Sequence, residues 1–178
     1  MSESFIENFC YFRSPIGIMR IGETGGFLTR ADFVERNHES EHSQLDRISK
    51  SSALLKGACR QLGEYFEGRR HKFDLALKPN GTDFQRSAWK SLLKIPYGET
   101  RSYLQQAESI SNPRAIRAIG QANSRNPLPI IIPCHRVIGK NGSLTGYAGG
   151  INRKARLLAL EHRIMHEQNY LNAFHDQL

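Results

Sequence analysis

The chain has 178 residues, 39% of them hydrophobic and 24% charged, which is room for one domain with a sizeable core or two small ones. Its longest apolar stretch, residues 128–132, falls far short of a membrane span and contains Pro129, and the acidic start Met1-Ser2-Glu3-Ser4 does not read as a secretory signal. Lys and Arg outnumber Asp and Glu by 25 to 17, a net charge of +8. The excess is uneven: residues 1–78 carry 12 basic and 11 acidic side chains, whereas residues 84–160 carry 12 basic and only two acidic ones, Glu99 and Glu108. A positive field confined to one half suits a polyanion such as nucleic acid, although a basic solvated surface would look the same on charge alone.

In chain order, residues 5–12, 16–21 and 27–34 are β-leaning runs separated by Ser14-Pro15 and by Glu23-Thr24-Gly25-Gly26, which predicts a small antiparallel meander. Residues 35–47 are polar and read as a loop. Leu54, Leu55, Ala58, Leu62, Tyr65 and Phe66 recur at helical spacing and predict an amphipathic helix over 49–67 that covers the sheet. Phe73, Leu75 and Leu77 alternate as a short strand, and Lys78-Pro79-Asn80-Gly81 marks a boundary between an N-terminal α+β domain, 1–78, and a mostly helical one, 79–178.

The second part opens with a helix capped by Thr82 or Asp83 and carrying Phe84, Ala88, Trp89, Leu92 and Leu93. Ser102 caps a second short helix. Asn112 with Pro113 predicts the start of a third, in which Arg114, Ala115, Arg117, Ala118, Gly120 and Ala122 alternate arginine with small residues. Two short helices with a tight connection, the second basic and small-faced, form a helix-turn-helix pattern. Small residues allow close approach to a nucleic-acid groove, and equally allow close helix-on-helix packing.

The most unusual stretch is Asn126-Pro127-Leu128-Pro129-Ile130-Ile131-Ile132-Pro133-Cys134-His135-Arg136-Val137-Ile138-Gly139. Three cysteines, Cys10, Cys59 and Cys134, show no CxxC spacing and give neither an even disulfide set nor a zinc pattern, so a reducing, cytoplasmic setting and a metal-free protein are expected. Cys134 lies between prolines and beside a histidine and an arginine, a setting for a thiol whose pKa is lowered by its neighbours. In a strand His135 would point away from the sulfur, so either the chain turns at Cys134 or a water carries the proton between them.

Pro133-Cys134-His135-Arg136-Val137 resembles the active-site signature of the O6-alkylguanine-DNA alkyltransferases. Phe84-Gln85, Trp89-Lys90, Pro96-Tyr97-Gly98-Glu99, Ser102-Tyr103, Asn112-Pro113-Arg114-Ala115, Arg117-Ala118, Asn126-Pro127, Gly146-Tyr147, Gly149-Gly150 and Leu157-Leu158-Ala159-Leu160-Glu161 follow the family pattern in order. The resemblance covers about residues 83–162. It implies an α/β (α+β) fold whose C-terminal domain carries a winged helix-turn-helix-like motif. It further implies irreversible, single-turnover transfer of an alkyl group from O6-alkylguanine in double-stranded DNA, with O4-alkylthymine as a second candidate, to Cys134 of a monomer, without cofactor.

On that resemblance His135 takes the thiol proton through a water, Glu161 orients His135, and Tyr103 hydrogen-bonds the leaving guanine. Val137, Tyr147, Ala148 and Asn126 form the substrate site, with Asn126 holding the turn before the active-site segment. Arg117 fills the gap left by the flipped base, and Arg114, Ala115, Ala118, Gln121 and Arg136 share the minor-groove DNA face. The chain departs from the pattern at Arg156, where tryptophan is common, at Ala148, where some members have serine, and at Asn123, a site often apolar. A lesion-binding module without transfer activity is the alternative, set apart by the presence of Cys134. A cysteine hydrolase is the third, for which no oxyanion hole is legible.

Overall fold

A computed structural model describes residues 8–34 and 51–175, with side chains in the last helix described through residue 169. The expected strand residues 5–7 and the expected loop 35–47 lie outside the described residues. The chain divides into two compact units, Met1–Gly81 with Pro127–Ile131, and Thr82–Asn126 with Ile132–Leu178. A division at residue 78 alone would leave Pro127–Ile131 in the second unit; it belongs instead to the first.

In the first unit β1 (Asn8–Ser14), β2 (Gly17–Thr24) and β3 (Phe27–Phe33) form an antiparallel sheet in the order β1-β2-β3. Two-residue turns at 15–16 and 25–26 set the registers, the second through Gly25 and Gly26, both at positive φ. Alternation puts Met19 and Ile21 of β2 into the core, and a register shift opposite Gly22 and Glu23 lets Leu28 and Ala31 of β3, three residues apart, join them. Helix α1 (Ala53–Phe66) covers the sheet with Leu55, Ala58, Leu62 and Tyr65. Its N-cap Ser52 accepts from the Leu55 N–H and donates to the buried Glu23 carboxylate at 2.7 Å, so one hydroxyl serves both the helix end and the sheet.

The segment around Phe73 to Leu77 is extended but makes only one bridge, parallel, between Leu77 and Leu28. A side chain substitutes for the missing ladder: Gln61 of α1 donates to the Asp74 carbonyl and accepts from the Asp74 N–H, both at 2.8 Å. The outer edge of β3 is closed by Ala76, which accepts from Leu28, and by Pro127, which accepts from the Ala31 N–H at 2.8 Å.

The second unit holds α2 (Asp83–Leu92), α3 (Tyr103–Ser109), α4 (Ile116–Ser124) and α5 (Ile151–His175), with a short parallel pairing of β4 (Arg101–Ser102) and β5 (Val137–Ile138). Thr82 and Ser102 each close a reciprocal capping box, with Gln85 and Gln105 respectively. The third helix starts later than Asn112-Pro113 suggested. Ser111 is left-handed (φ 57°), residues 112–115 close a turn through Ala115 N–H to the Asn112 carbonyl, and α4 begins at Ile116 without a side-chain cap. Ala88, Ala107, Ile119 and Ala122 make the interhelical core, with Phe84, Tyr103 and Ile110 against it.

Asn123 is buried because it has a partner. It donates to Gln106 at 2.7 Å and accepts from it at 3.2 Å, and Gln106 also donates to the Ala88 carbonyl. A paired amide on α3 and α4 thus replaces the expected apolar side chain at little cost, since neither amide is left unsatisfied. Trp89 donates its ring N–H at 2.8 Å to the Ala122 carbonyl, which also accepts from the Arg125 N–H at the end of α4.

Candidate active site

The backbone turns at the cysteine. Pro133 has φ −82° and ψ 62°, the Cys134 N–H returns to the Ile132 carbonyl at 2.8 Å, and Cys134–Arg136 form one turn of 3-10 helix. Ahead of it Ile130 is buried at φ +75°, a conformation that costs a β-branched residue energy and that the packing of residues 127–131 must hold. Asn126 donates through Nδ2 to the Ile132 carbonyl at 2.8 Å and to the Cys134 sulfur at 3.1 Å. The residue expected to hold the turn therefore also touches the nucleophile.

His135 and Arg136 both turn inward onto Glu161 of α5. His135 Nε2 lies 2.8 Å from Glu161 Oε1, and Arg136 donates to both carboxylate oxygens, from Nε at 2.9 Å and Nη2 at 3.0 Å. The Gly98 N–H adds a fourth bond at 3.0 Å. Gly98 is obligatory there: its φ is +76°, and a Cβ would meet Met165 Cγ of α5 at 2.5 Å. Burial alone would raise the Glu161 pKa, but the hydrogen bonds and charges of His135 and Arg136 outweigh it and hold the carboxyl well below the usual carboxylate range.

That carboxylate decides the histidine tautomer. An ionised carboxylate only accepts, so the proton of the neutral ring is on Nε2 and Nδ1 carries the lone pair. Burial is the largest influence on His135 and lowers its pKa despite Glu161, so the ring is neutral and can accept a proton at neutral pH. Nδ1 is buried and has no hydrogen-bond partner in the protein.

Cys134 is 5% exposed and its thiol is pushed up to about 11 by burial. The expectation of a pKa lowered by the neighbours is corrected accordingly: burial outweighs them, and the resting state is the thiol. Asn126, the charge of Lys154 and the backbone N–H groups of Cys134 and His135 act in the other direction and favour the thiolate once a base removes the proton.

Lys154 is a residue beside the site that sequence reasoning missed. It is completely buried, and its Nζ donates to the carbonyls of Val137 (2.5 Å) and Thr145 (2.7 Å). A signal was present: Lys154 lies one and two turns ahead of Leu157 and Glu161, on the inward face of α5. With Arg136 it gives two buried cations against one buried carboxylate, a surplus positive charge that an ionised Cys134 would neutralise.

Tyr103, the first residue of α3, donates its hydroxyl to the same Thr145 carbonyl at 2.9 Å. Burial raises its pKa, so it remains a phenol and a donor. Gly146 makes room for it, since a Cβ there would lie 2.8 Å from the Tyr103 oxygen. Tyr147 is buried with a hydroxyl that has no hydrogen-bond partner in the protein, and its pKa is raised by burial and by the nearby Cys134. Val137 is buried, and Ala148 is exposed. No cluster of three or more His, Cys, Asp or Glu side chains suited to a metal occurs among the described residues.

Two family models match, each in its own part of the chain. The DNA binding domain of 6-O-methylguanine DNA methyltransferase matches residues 83–163, and the ribonuclease-like domain of the same protein matches residues 9–79. A methylated-DNA–protein-cysteine methyltransferase of Methanosarcina barkeri is 51% identical over 148 residues, 83% of this chain and 92% of that protein. The chain belongs to the 6-O-methylguanine DNA methyltransferase family.

Solved structures of family members agree. The Mycobacterium tuberculosis O6-methylguanine methyltransferase superposes with a TM-score of 0.76 at 45% identity, covering 89% of this chain and 94% of that one. Mycobacterium tuberculosis OGT in complex with DNA superposes at 0.75 with 44% identity, covering 88% and 93%.

Within this methyltransferase framework α4 divides its small residues between two faces. Ile119, Ala122 and Asn123 are buried, while Arg114 ahead of the helix and Arg117, Ala118 and Gln121 on it are exposed, with Ala115 half-buried. Both readings of the small residues therefore apply, one to each face. Neither Arg114 nor Arg117 has an acidic partner among the described residues. Arg136 is a correction: assigned by resemblance to the DNA face, it is 5% exposed and its guanidinium is consumed by Glu161 and by the Ile95 carbonyl at 2.7 Å. Arg156 is exposed, so the missing tryptophan leaves the inward face of α5 unaffected.

Proposed function

We propose that the chain repairs DNA by transferring the alkyl group of O6-alkylguanine to the sulfur of Cys134, once per molecule. The arrangement that carries this reading is Cys134 beside a histidine whose Nε2 is tied to a buried carboxylate and whose Nδ1 is left as a base. The proton leaves the thiol for Nδ1 of His135 through a water, while Lys154 and the Asn126 amide support the sulfur's charge. The thiolate attacks the alkyl carbon; the C–S bond forms as the bond to O6 breaks. The departing guanine anion is stabilised by the Tyr103 hydroxyl, which exchanges the Thr145 carbonyl for the base.

The thioether product offers water no good leaving group, so turnover stops. O6 is hidden in stacked duplex, and the nucleotide must be extruded at a cost of a few kcal/mol that is lower for a damaged base. The exposed face of α4 fits the DNA minor groove, with Arg117 entering the stack and Arg114 and Gln121 beside it. One chain supplies every group in the scheme, so it acts as a monomer, in a reducing cytoplasmic setting where Cys134 stays reduced.

The deciding experiment is incubation of the reduced chain with duplex DNA methylated at guanine O6, followed by mass spectrometry of the peptides. One methyl group on Cys134 per chain, with unmodified guanine restored in the DNA, is expected. Tight binding to the lesion with no methyl on Cys134 would instead support a damage-marking module. DNA affinity should also fall with salt at a log–log slope of about −0.9 per phosphate contacted.

A further inference from the structure

Two thiols take no part in that scheme, yet the first unit brings them together. Cys10 on β1 and Cys59 on α1 are 49 residues apart in the chain, and their sulfurs are 3.3 Å apart across the sheet–helix interface. Cys10 is completely buried, whereas Cys59 is half-buried, so of the two it is the one solvent reaches. A disulfide needs the sulfurs at roughly 2.05 Å. The remaining approach of about an ångström is within what small χ adjustments on two side chains supply.

We infer that Cys10 and Cys59 are a peroxide-oxidisable pair in which Cys59 attacks and Cys10 resolves. The unequal exposure assigns the roles. The sulfurs lie within hydrogen-bond reach, so the S–H of one can support a thiolate on the other.

The steps balance. The Cys59 thiolate attacks one oxygen of hydrogen peroxide, the O–O bond breaks, and hydroxide leaves to take a proton, giving a sulfenic acid on Cys59 and water. The Cys10 sulfur then attacks the Cys59 sulfur, an S–S bond forms, and the sulfenic oxygen departs as a second water with the Cys10 proton. Overall two thiols lose two electrons and two protons to one peroxide. A dithiol reductant reverses the change. Cys134, buried and resting as a thiol, is the slower target under the same conditions.

The test treats the fully reduced chain with one equivalent of hydrogen peroxide near neutral pH, quenches with a thiol-blocking reagent, and maps peptides without reduction. The expected outcome is a Cys10–Cys59 crosslink, two of three thiols lost, full alkyl acceptance by Cys134, and reversal by dithiothreitol. Crosslinking across so long a loop should also raise the melting midpoint.

Cys10→Ala should leave a sulfenic acid on Cys59 that a cyclic dione traps. Cys59→Ala should leave Cys10 unmodified, and stoichiometric alkyl transfer by each variant reports that it has folded. Oxidation of Cys134 ahead of the pair, or trapping on Cys10 in the Cys59→Ala chain, would overturn the inference. So would three intact thiols in the wild-type chain.

Discussion

Arg136 and Arg117 lie on the same basic half of the chain, and the structure gives them opposite work. Arg136 is buried against Glu161 in a bidentate pair and donates to the Ile95 carbonyl; Arg117 projects from α4 with no acidic partner among the described residues. The first fixes the carboxylate that fixes the tautomer of His135. The second is exposed, as the proposed contact with a phosphate or a base stack requires. A guanidinium acts through the protein when its fork is filled and through a ligand when it is empty. The same division separates a buried set around Cys134, with His135, Glu161, Arg136 and Lys154, from an exposed face, Arg114, Arg117, Ala118 and Gln121.

The largest test of that separation is Cys134→Ser, which should abolish methyl transfer and leave DNA affinity unchanged. Residual transfer in a stoichiometric assay would mean that the acceptor is elsewhere. Next is Arg136→Ala. Removing one partner of a buried pair strands the other, so it should cost about 3–5 kcal/mol in chemical denaturation. A loss below about 1 kcal/mol would return Arg136 to the surface role first assigned to it.

Alkaline titration comes third. The Cys134 thiol has an ordinary value of 9.0 and is pushed up to about 11 in the fold. The folded chain therefore holds this proton more tightly than the unfolded one. The stabilisation is fully present below the unfolded value and is lost as pH rises toward 11. It amounts to about 3 kcal/mol on two units. Subtracting the Cys134→Ala stability curve should isolate this alkaline limb, and identical curves would show that the thiol is less desolvated than its burial implies.

Alkylation itself should come fourth. Adding carbon to a site 5% exposed and packed against the Asn126 amide overfills it. Overpacking costs about 1–3 kcal/mol. The reacted protein should melt lower than the unreacted one, and more so with benzyl than with methyl; an unchanged midpoint would mean that the pocket has room to spare. The smallest stability effect belongs to Arg117→Ala, within about 0.5 kcal/mol. Its signature is kinetic: transfer from duplex DNA should slow far more than transfer from free O6-benzylguanine, which needs no extrusion. Equal slowing would assign Arg117 to the fold.

Much of this was readable before any coordinates. The alternating runs, with Ser14-Pro15 and Gly25-Gly26 between them, specify the β1-β2-β3 meander, because a period of two and a tight turn are local properties. The capping serines and threonines and the apolar spacing specify α1, α2 and α3 in the same way. The Pro133-Cys134-His135-Arg136-Val137 string pointed to the family and to the segment around which Asn126, Glu161 and Lys154 gather.

What local pattern could not supply is direction and burial. Asn112-Pro113 is a good helix start in isolation, yet tertiary packing delays α4 to Ile116. Whether Arg136 faces DNA or Glu161 depends on a helix 25 residues further on. Lys154 looks like one of several basic residues in Asn152-Arg153-Lys154-Ala155-Arg156, and only the packing of α5 turns it inward to the Val137 and Thr145 carbonyls. The resting protonation of Cys134 is likewise set by desolvation, a property of everything packed around the sulfur and not of the residues beside it in sequence. By itself, then, the sequence determined the family, the β1-β2-β3 meander and the existence of α1, α2 and α3, since these follow from motif, residue type and short-range spacing. The tertiary structure alone decided which charges are buried and paired, because that depends on contacts between residues far apart in the chain.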